Sequence, residues 1–443
     1  MENIFEEHLD KTALDLVFKN MEDAVCVTNK HGIIYYMNEA ASTLLSADGS
    51  APGKEKIWKL IPYTETNDEL IQMFIDATVT KKITHHGVVD FEKNDGSVCK
   101  LSVNITYTYE EDEQFIVVVI TNLTELFRVN AAFRRYTSNE IADFVLNTPE
   151  GEKQGGKQSE VTIMMSDLRG FTALSTRIGP EQLITILNHY FAVMSEVIDK
   201  HHGTVIEFLG DGIFVVFGAP KEDKDHAKDA VECAIEMENA MVSVNEWNRS
   251  QGYPDLQMGI GINSGLAVVG NIGSENKMKY GCMGETVNLA GRVESFTIGG
   301  QIYISENTKA LIDQELSVSE TQSIMPKGAK KEISIYSVVG IGELMLTSDM
   351  TEIKWEGKAR DLSISFKRLE GKAVEDETLN GKVIELSEDL GFARMTSDIE
   401  LTKSTNIMID IGGDLYAKVT DVDEKGYVIC FTSKPESFAS WVK

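Results

Sequence analysis

Apolar positions recur along this chain at two spacings, every second residue and every third or fourth, and the switches between them outline its elements. Alternating or continuous apolar runs predict strands at Ala24–Thr28, Ile33–Met37, Gly87–Glu92, Val98–Thr108 and Gln114–Thr121. Turn clusters at Asn29–Gly32 and Lys93–Gly96, and an acidic tip at Tyr109–Glu113, join them. A short helix over Leu14–Met21 precedes this sheet, small helices separate its second and third strands, and a helical segment over Glu125–Leu146 follows.

Past the polar run NTPEGEKQGGKQSE (Asn147–Glu160), read as a linker, helix and strand patterns alternate. Strand Val161–Met165 leads to a helix from Pro180, with Leu183, Leu187, Tyr190, Phe191, Met194, Val197 and Ile198 on one face and Gly203 as its stop. Strands Thr204–Leu209 and Ile213–Phe217 flank Gly210-Asp211-Gly212, a hairpin signal. A second amphipathic helix, Asp225–Asn248, buries Val231, Ala234, Met237, Met241 and Val244 and leads to strand Gln257–Ile262. The order β-α-β-β-α-β predicts a ferredoxin-like sheet. After a softer break at Gly340–Asp349, strands at Gly381–Leu386, Asn406–Ile411, Tyr416–Val422 and Tyr427–Phe431 predict a small β-barrel. The fold class is α+β, in segments 11–125, 126–157 (helix and linker), 158–340 and 350–443. A length of 443 residues fits this division at about 150 residues per domain.

Charge narrows the partners. With 42 Lys+Arg against 70 Asp+Glu, the net charge of −28 repels nucleic acid and anionic lipid, and no basic stripe offsets it. An anionic nucleotide needs a local cation cluster or a metal to enter. The five cysteines, Cys26, Cys99, Cys233, Cys282 and Cys430, form no C-x-x-C pair, which favours a reducing compartment over a disulfide frame. The acidic start MENIFEEHLD lacks a signal-peptide charge pattern, and no apolar run nears the ~20 residues of a membrane span. The expected location is the cytoplasm.

The predicted sheet brings chemistry together. Asp167 ends the first strand of the ferredoxin-like unit, and Asp211 sits at the hairpin tip. The first and third strands of such a sheet are neighbours, so the two carboxylates lie side by side, where a hard divalent cation relieves their repulsion. Singly, an Asp after a strand reads as a helix cap and an Asp-Gly step as a turn; jointly they favour metal binding. After Asp167, the backbone N–H groups of Gly170, Phe171 and Thr172 open a short helix and can hold phosphate oxygens. In KYGCMGETVNLAGRVES, Asn288 and Arg292 are four apart on one helix face; a solvated face is the ordinary reading, and orienting a sugar and stabilising a phosphoryl group is the functional one. Lys327 adds a cation beside a glycine turn.

These stretches resemble known families. NMEDAVCVTNKHGIIYYMNEAA and the closing ITNLTEL are similar to a PAS sensor domain over about 11–125, with Asn122 where that family's end motif has Asp. PAS domains often pass their signal through a following helix, as Glu125–Leu146 would. VTIMMSDLRGFTALS, LNHYFAVMSEVIDKHHGTVIEFLGDGIFVVFGAP, MGIGINSGLAVVGNIGS and MGETVNLAGRVES resemble the catalytic domain of class III nucleotidyl cyclases over about 158–340. The resemblance implies two Mg²⁺ or Mn²⁺ ions per site on Asp167 and Asp211, transition-state roles for Asn288 and Arg292, and a phosphate contact for Lys327. Glu285 stands where the family usually has Asp. It also implies sites shared between chains, hence a homodimer, because base reader and metal carboxylates of one site come from opposite copies.

Two positions of that family choose the purine. The first is Glu207, where adenylate cyclases typically carry Lys and guanylate cyclases Glu. A carboxylate only accepts, which suits guanine N1–H and N2–H₂ and repels the bare N1 of adenine. The second is Gly281, which matches neither the Asp or Thr of adenylate cyclases nor the Cys of guanylate cyclases; Cys282, next to it, is a further candidate for binding the base. The prediction is GTP cyclised to cyclic GMP and pyrophosphate under PAS control. The alternatives are ATP cyclisation with atypical base readers, and a non-catalytic scaffold. The histidines read as structural or solvated, with haem on His31, His85 or His86 as the less common explanation. GKVIELSEDLGFARM partly resembles a PilZ domain, but Ser387 and Gly391 are one residue too far apart, Glu385 replaces Asp or Asn, and no arginine pair precedes, so a structural or protein-contact role is expected.

Overall fold

The alternating runs near the N-terminus pair into an antiparallel sheet of order β2-β1-β5-β4-β3, formed by β1 (Ala24–Asn29), β2 (Ile34–Met37), β3 (Thr84–Glu92), β4 (Val98–Glu110) and β5 (Glu113–Asn122). Helices α1 (Glu39–Leu44) and α2 (Asp68–Thr80) join β2 to β3 and pack on a core that includes Ile34, Leu70, Phe74, Leu101 and Val118. Asn38 caps α1 by accepting from Ala41 N–H at 2.9 Å and also accepts from Val25 N–H. The computed structural model describes residues 13, 16–47, 52–80, 84–110, 113–325, 332–347, 353–370, 373–435 and 437–443. Two compact units divide between Tyr136 and Thr137.

The single helical segment predicted over Glu125–Leu146 is two helices, α3 (Thr124–Tyr136) and α4 (Asn139–Asn147). Ser138 breaks it, in extended conformation and accepting from Ile141 N–H as the N-cap of α4. The predicted linker also yields to structure. Strand β6 begins at Gly155 and runs to Leu168, because its polar half pairs residue by residue with β9 (Met258–Ser274) from Gly155↔Asn271 to Leu168↔Met258. Its exposed side chains need not be apolar for the ladder to form.

The second unit's large sheet has the order β12-β13-β11-β9-β6-β8-β7, with β7 (Thr204–Leu209), β8 (Gly212–Phe217), β11 (Gln301–Ser305), β12 (Leu316–Ile324) and β13 (Ile333–Ile341). β10 (Lys277–Met283) folds back on β9, and β14 (Leu344–Met345) pairs with β13. The segment β9-β6-β8-β7 is the predicted ferredoxin-like arrangement. Between the strands lie α5 (Phe171–Ser175), α6 (Pro180–Lys200), α7 (His226–Ser250), α8 (Glu285–Ser295) and α9 (Glu306–Ala310). Helices α6 and α7 cover one face, where Tyr190, Met194, Met237 and Met241 meet Met258, Ile260 and Ile262 of β9. The other face of β9 carries Gly259 and Gly261, and α8 lies directly on it. A Cβ at Gly261 would run into the Glu294 backbone N, and one at Gly259 into Thr297 Oγ1. Gly261→Ala should therefore destabilise this unit by about 1–3 kcal/mol, since backbone cannot yield as a side-chain tip can; a lowered calorimetric midpoint is the expected reading.

The C-terminal strands close into a six-stranded barrel, β15 (Leu362–Glu370), β17 (Leu379–Leu386), β18 (Phe392–Ser397), β21 (Gly426–Ser433), β20 (Asp414–Asp423) and β19 (Asn406–Asp410), with β19 pairing back to β15. The short β16 (Ala373–Val374) extends β15, and helix α10 (Phe438–Trp441) follows β21. Strands β15 and β18 are additional to the predicted set. Around the β17–β18 turn, Ser387 Oγ donates to Asp389 at 2.6 Å and Glu385 pairs with Arg394, which also stacks on Trp355. The turn's polar groups are thus spent within the barrel.

Candidate active site

Strands β6 and β8 are hydrogen-bonded neighbours with Ser166 opposite Ile213, so their adjoining ends carry Asp167 and, in the β7–β8 turn, Asp211. A Cβ at Gly212 would stand 3.6 Å from Asp167 Oδ1, which measures how closely the turn approaches the strand end. Burial pushes the Tyr190 phenol up, and the charges of Glu238, Asp167 and Asp211 add to that push. The donor set here is hard oxygen, which fits a divalent cation such as Mg²⁺ or Mn²⁺. Among the described residues, no group of three or more His, Cys, Asp or Glu side chains is placed to hold a metal ion.

The turn after Asp167 is held from two sides. Arg169 N–H donates to Gln257 O at 2.7 Å, and its guanidinium pairs with Glu294 of α8. Burial pushes the Glu294 carboxyl up, against the pull of Arg169. Gly170 is left-handed, with φ of +70°, and Thr432 O of the barrel lies where a Cβ would go, so only glycine fits on both counts. The Phe171 side chain is buried in the core, leaving its backbone N–H as the group available to a ligand, and Thr172 is exposed.

Helix α8 presents Asn288, exposed, and Arg292, half-buried. Its start is pinned to β9 by Thr286 Oγ1 donating to Leu266 O at 2.6 Å and Asn263 Nδ2 donating to Thr286 O at 2.9 Å. Its end is held by the barrel. Lys418 Nζ, from β20, donates to Ser295 O at 2.7 Å and Thr297 O at 3.1 Å. The barrel thus touches both the turn after Asp167 and the end of α8, with Arg177 Nη1 donating to Lys434 O at 2.5 Å and Lys403 paired with Glu320 at the same joint. A 660 Å³ cleft opens beside it, with Tyr303, Glu320, Trp355 and Lys403 in its walls.

Burial pushes Lys418 down to about 7, from an ordinary 10.5, Arg169 adding to the fall and Glu294 opposing it. In the unfolded chain this lysine keeps its proton up to its ordinary value. The burial penalty is therefore absent above about 10.5, grows as pH falls, and is complete below about 7. Between pH 7 and 9 the wild-type chain should gain stability relative to Lys418→Met, by up to ~1.4 kcal/mol per pH unit; thermal midpoints of both chains across that range check it.

At the other edge, Glu207 is exposed on β7 just past a bulge between Val205 and Glu207. Gly281 faces Gly270 on the β9–β10 hairpin. Cys282, next to Gly281, has its side chain on the opposite face of the strand from Gly281. It sits 8% exposed in a core with Phe214, Val269 and Tyr280, because one step along a strand reverses the side-chain face. Burial pushes its thiol up to about 11. Lys327 lies outside the described residues. Lys279, which pairs with Glu207, was not singled out from the sequence, since only the hairpin brings the two together. In the first unit, His31 lies in the β1–β2 turn and His85 and His86 on β3, at opposite ends of the strand order, and His86 Nδ1 contacts Asn104 Oδ1 at 2.8 Å. No helix among the described residues is long and apolar enough to cross a membrane.

Residues 154–340 match the family model described as the adenylate and guanylate cyclase catalytic domain. Residues 12–121 match the PAS fold. Adenylate cyclase 1 of Rhizobium meliloti (strain 1021) is 32% identical over 244 residues, covering 52% of this chain and 36% of that protein. The adenylate cyclase of Anabaena cylindrica is 30% identical over 224 residues, covering 47% of this chain and 42% of that protein. The chain therefore spans less than half the length of these curated relatives. Among solved structures, the guanylyl cyclase Cya2 is 47% identical, covering 44% of this chain and 100% of that one, with a TM-score of 0.43. The adenylyl cyclase CyaB from P. aeruginosa is 35% identical, covering 43% and 100%, with a TM-score of 0.41.

Proposed function

We propose that this chain, whose residues 154–340 match the adenylate and guanylate cyclase catalytic domain and whose residues 12–121 match the PAS fold, is a homodimeric guanylate cyclase under PAS control. The observation that carries the choice of purine is the exposed Glu207 carboxylate, which pairs with Lys279, two residues along β10 from Gly281. An acceptor-only group there favours the N1–H and N2–H₂ edge of guanine.

Each site takes Asp167 and Asp211 from one copy and Glu207, Gly281, Asn288 and Arg292 from the other. Asp167 and Asp211 would hold divalent ions, which when bound would neutralise charge on the triphosphate and acidify the ribose 3′-hydroxyl. The backbone N–H groups of Gly170, Phe171 and Thr172, with Lys327, bind phosphate oxygens. Asn288 orients the ribose, and Arg292 bears on the charge that builds at the α-phosphate. The 3′-oxygen forms its bond to the α-phosphorus as the bond to the β-phosphate oxygen breaks, giving cyclic GMP and pyrophosphate and releasing the hydroxyl proton to solvent.

A second reading, ATP to cyclic AMP, has in its favour the adenylate cyclase names of the curated relatives. Competition decides between them. Purified protein with Mn²⁺ and equal GTP and ATP should yield mainly cyclic GMP, and mainly cyclic AMP overturns the base-reading argument.

A further inference from the structure

Side chains along β20 alternate between the inside and the outside of the barrel. Ala417 and Val419 lie in the barrel core with Ile429 and Phe431 of β21, so Lys418 and its cross-strand partner Cys430 point outward. An outward lysine is ordinarily solvated. Lys418 is only 3% exposed, because it is docked against the end of α8.

That helix end needs a donor. The last carbonyls of a helix have no partner within it and carry the negative end of its dipole. Lys418 Nζ donates to Ser295 O, at the end of α8, and to Thr297 O just past it. Ser295 Oγ in turn donates to Arg292 O at 2.7 Å. The residue that the barrel grips is thus bonded to the backbone of Arg292, one turn back. Glu294, between them, pairs with Arg169 of the turn after Asp167, and Thr432 O of β21 lies against Gly170 of that same turn. Neighbouring strands of the barrel therefore hold two points, the end of α8 and the turn after Asp167. Burying a charge merely to join two surfaces is a poor choice, since apolar groups of the same volume do so at lower cost. Two directed donors do what apolar packing does not: they set a distance and an angle.

We propose that Lys418 is a positioning residue for the reaction: by holding Ser295 O and Thr297 O it fixes the last turn of α8, and with it the placement of Arg292 against the α-phosphate. The inference rests on the role proposed above for Arg292 and does not depend on which purine is cyclised.

The test follows cyclisation of GTP and of ATP by the full chain with Mn²⁺. Lys418→Met removes the donors and keeps the length of the side chain. It should lower kcat by about ten- to a hundredfold, the cost of a misplacement of about 1 Å. KM should change by less than about twofold, because Arg292 bears on charge that builds only in the transition state. Lys418→Arg, which keeps donors for both carbonyls, should recover most of kcat. Lys403→Ala, which loosens the same joint at Glu320 of β12, should leave kcat near the wild-type value. Combined with Arg292→Ala, Lys418→Met should have little further effect, since the residue it positions is gone. Circular dichroism at the assay temperature establishes that each variant is folded, and Lys418→Gln, too short for both carbonyls, replaces the Met variant if that one is not. An unchanged kcat in Lys418→Met, an equal loss in Lys403→Ala, or a full further loss in the Arg292→Ala background overturns the inference and leaves the cyclase reading standing. A wild-type chain that cyclises neither nucleotide overturns the cyclase reading and the inference with it.

Discussion

Asp167→Asn and Asp211→Asn should each lower cyclic nucleotide production by about a thousandfold or more, because on the proposed mechanism either change removes a negative metal ligand from a site whose catalysis is mostly charge stabilisation. The fold should survive. Both substitutions keep side-chain volume, and both remove one of two carboxylates that the β6–β8 pairing forces together. Circular dichroism and thermal midpoints should therefore resemble the wild type. Complementation gives the loss a second reading. On the proposed shared site Arg292 comes from the other copy, so chains carrying Asp167→Asn mixed with chains carrying Arg292→Ala should recover activity. At equal amounts and free exchange, half of the dimers are mixed and each has one intact site, or about a quarter of wild-type activity. No recovery on mixing would mean that each chain builds its site alone.

The purine exchange has the next largest expected effect. Glu207→Lys with Gly281→Asp replaces an acceptor by a donor at the N1 position and adds an acceptor beside it, the complement of adenine. The ratio of kcat/KM for GTP over ATP should fall by about a hundredfold or more, since a slot that pairs polar groups penalises the wrong partner at both positions. Glu207 and Gly281 lie on β7 and β10, away from the α6–α7 core, so the exchange should leave the fold intact. A ratio that stays put would remove Glu207 as the selector.

Much of this architecture was legible in the residues. The helical face of α6 with Pro180 at its start, the Asp-Gly hairpin and the apolar β9 run led to the observed β9-β6-β8-β7 order, and hence to the juxtaposition of Asp167 and Asp211. What was not legible depends on partners distant in sequence. Gly155–Glu160 looks like a linker because its side chains are polar, and becomes strand only because β9 extends far enough to pair with it. Ser138 offers a cap signal inside an otherwise continuous helical pattern, which helical periodicity overlooks. Cys282 sat beside a selector position, but adjacency along a strand means opposite faces, and the core claims it. The barrel's hold on α8 through Lys418, and the Lys279–Glu207 pair, join residues more than 70 positions apart with no local pattern to announce them.

The shared, metal-dependent site is tested most directly by a crystal structure of the dimer with Mn²⁺ and a GTP analogue that cannot cyclise. Two ions should lie against Asp167 and Asp211 of one copy, with the guanine edge on Glu207 of the other and Asn288 and Arg292 beside the ribose and α-phosphate. Ions bound elsewhere, or a nucleotide held within one chain, would contradict it.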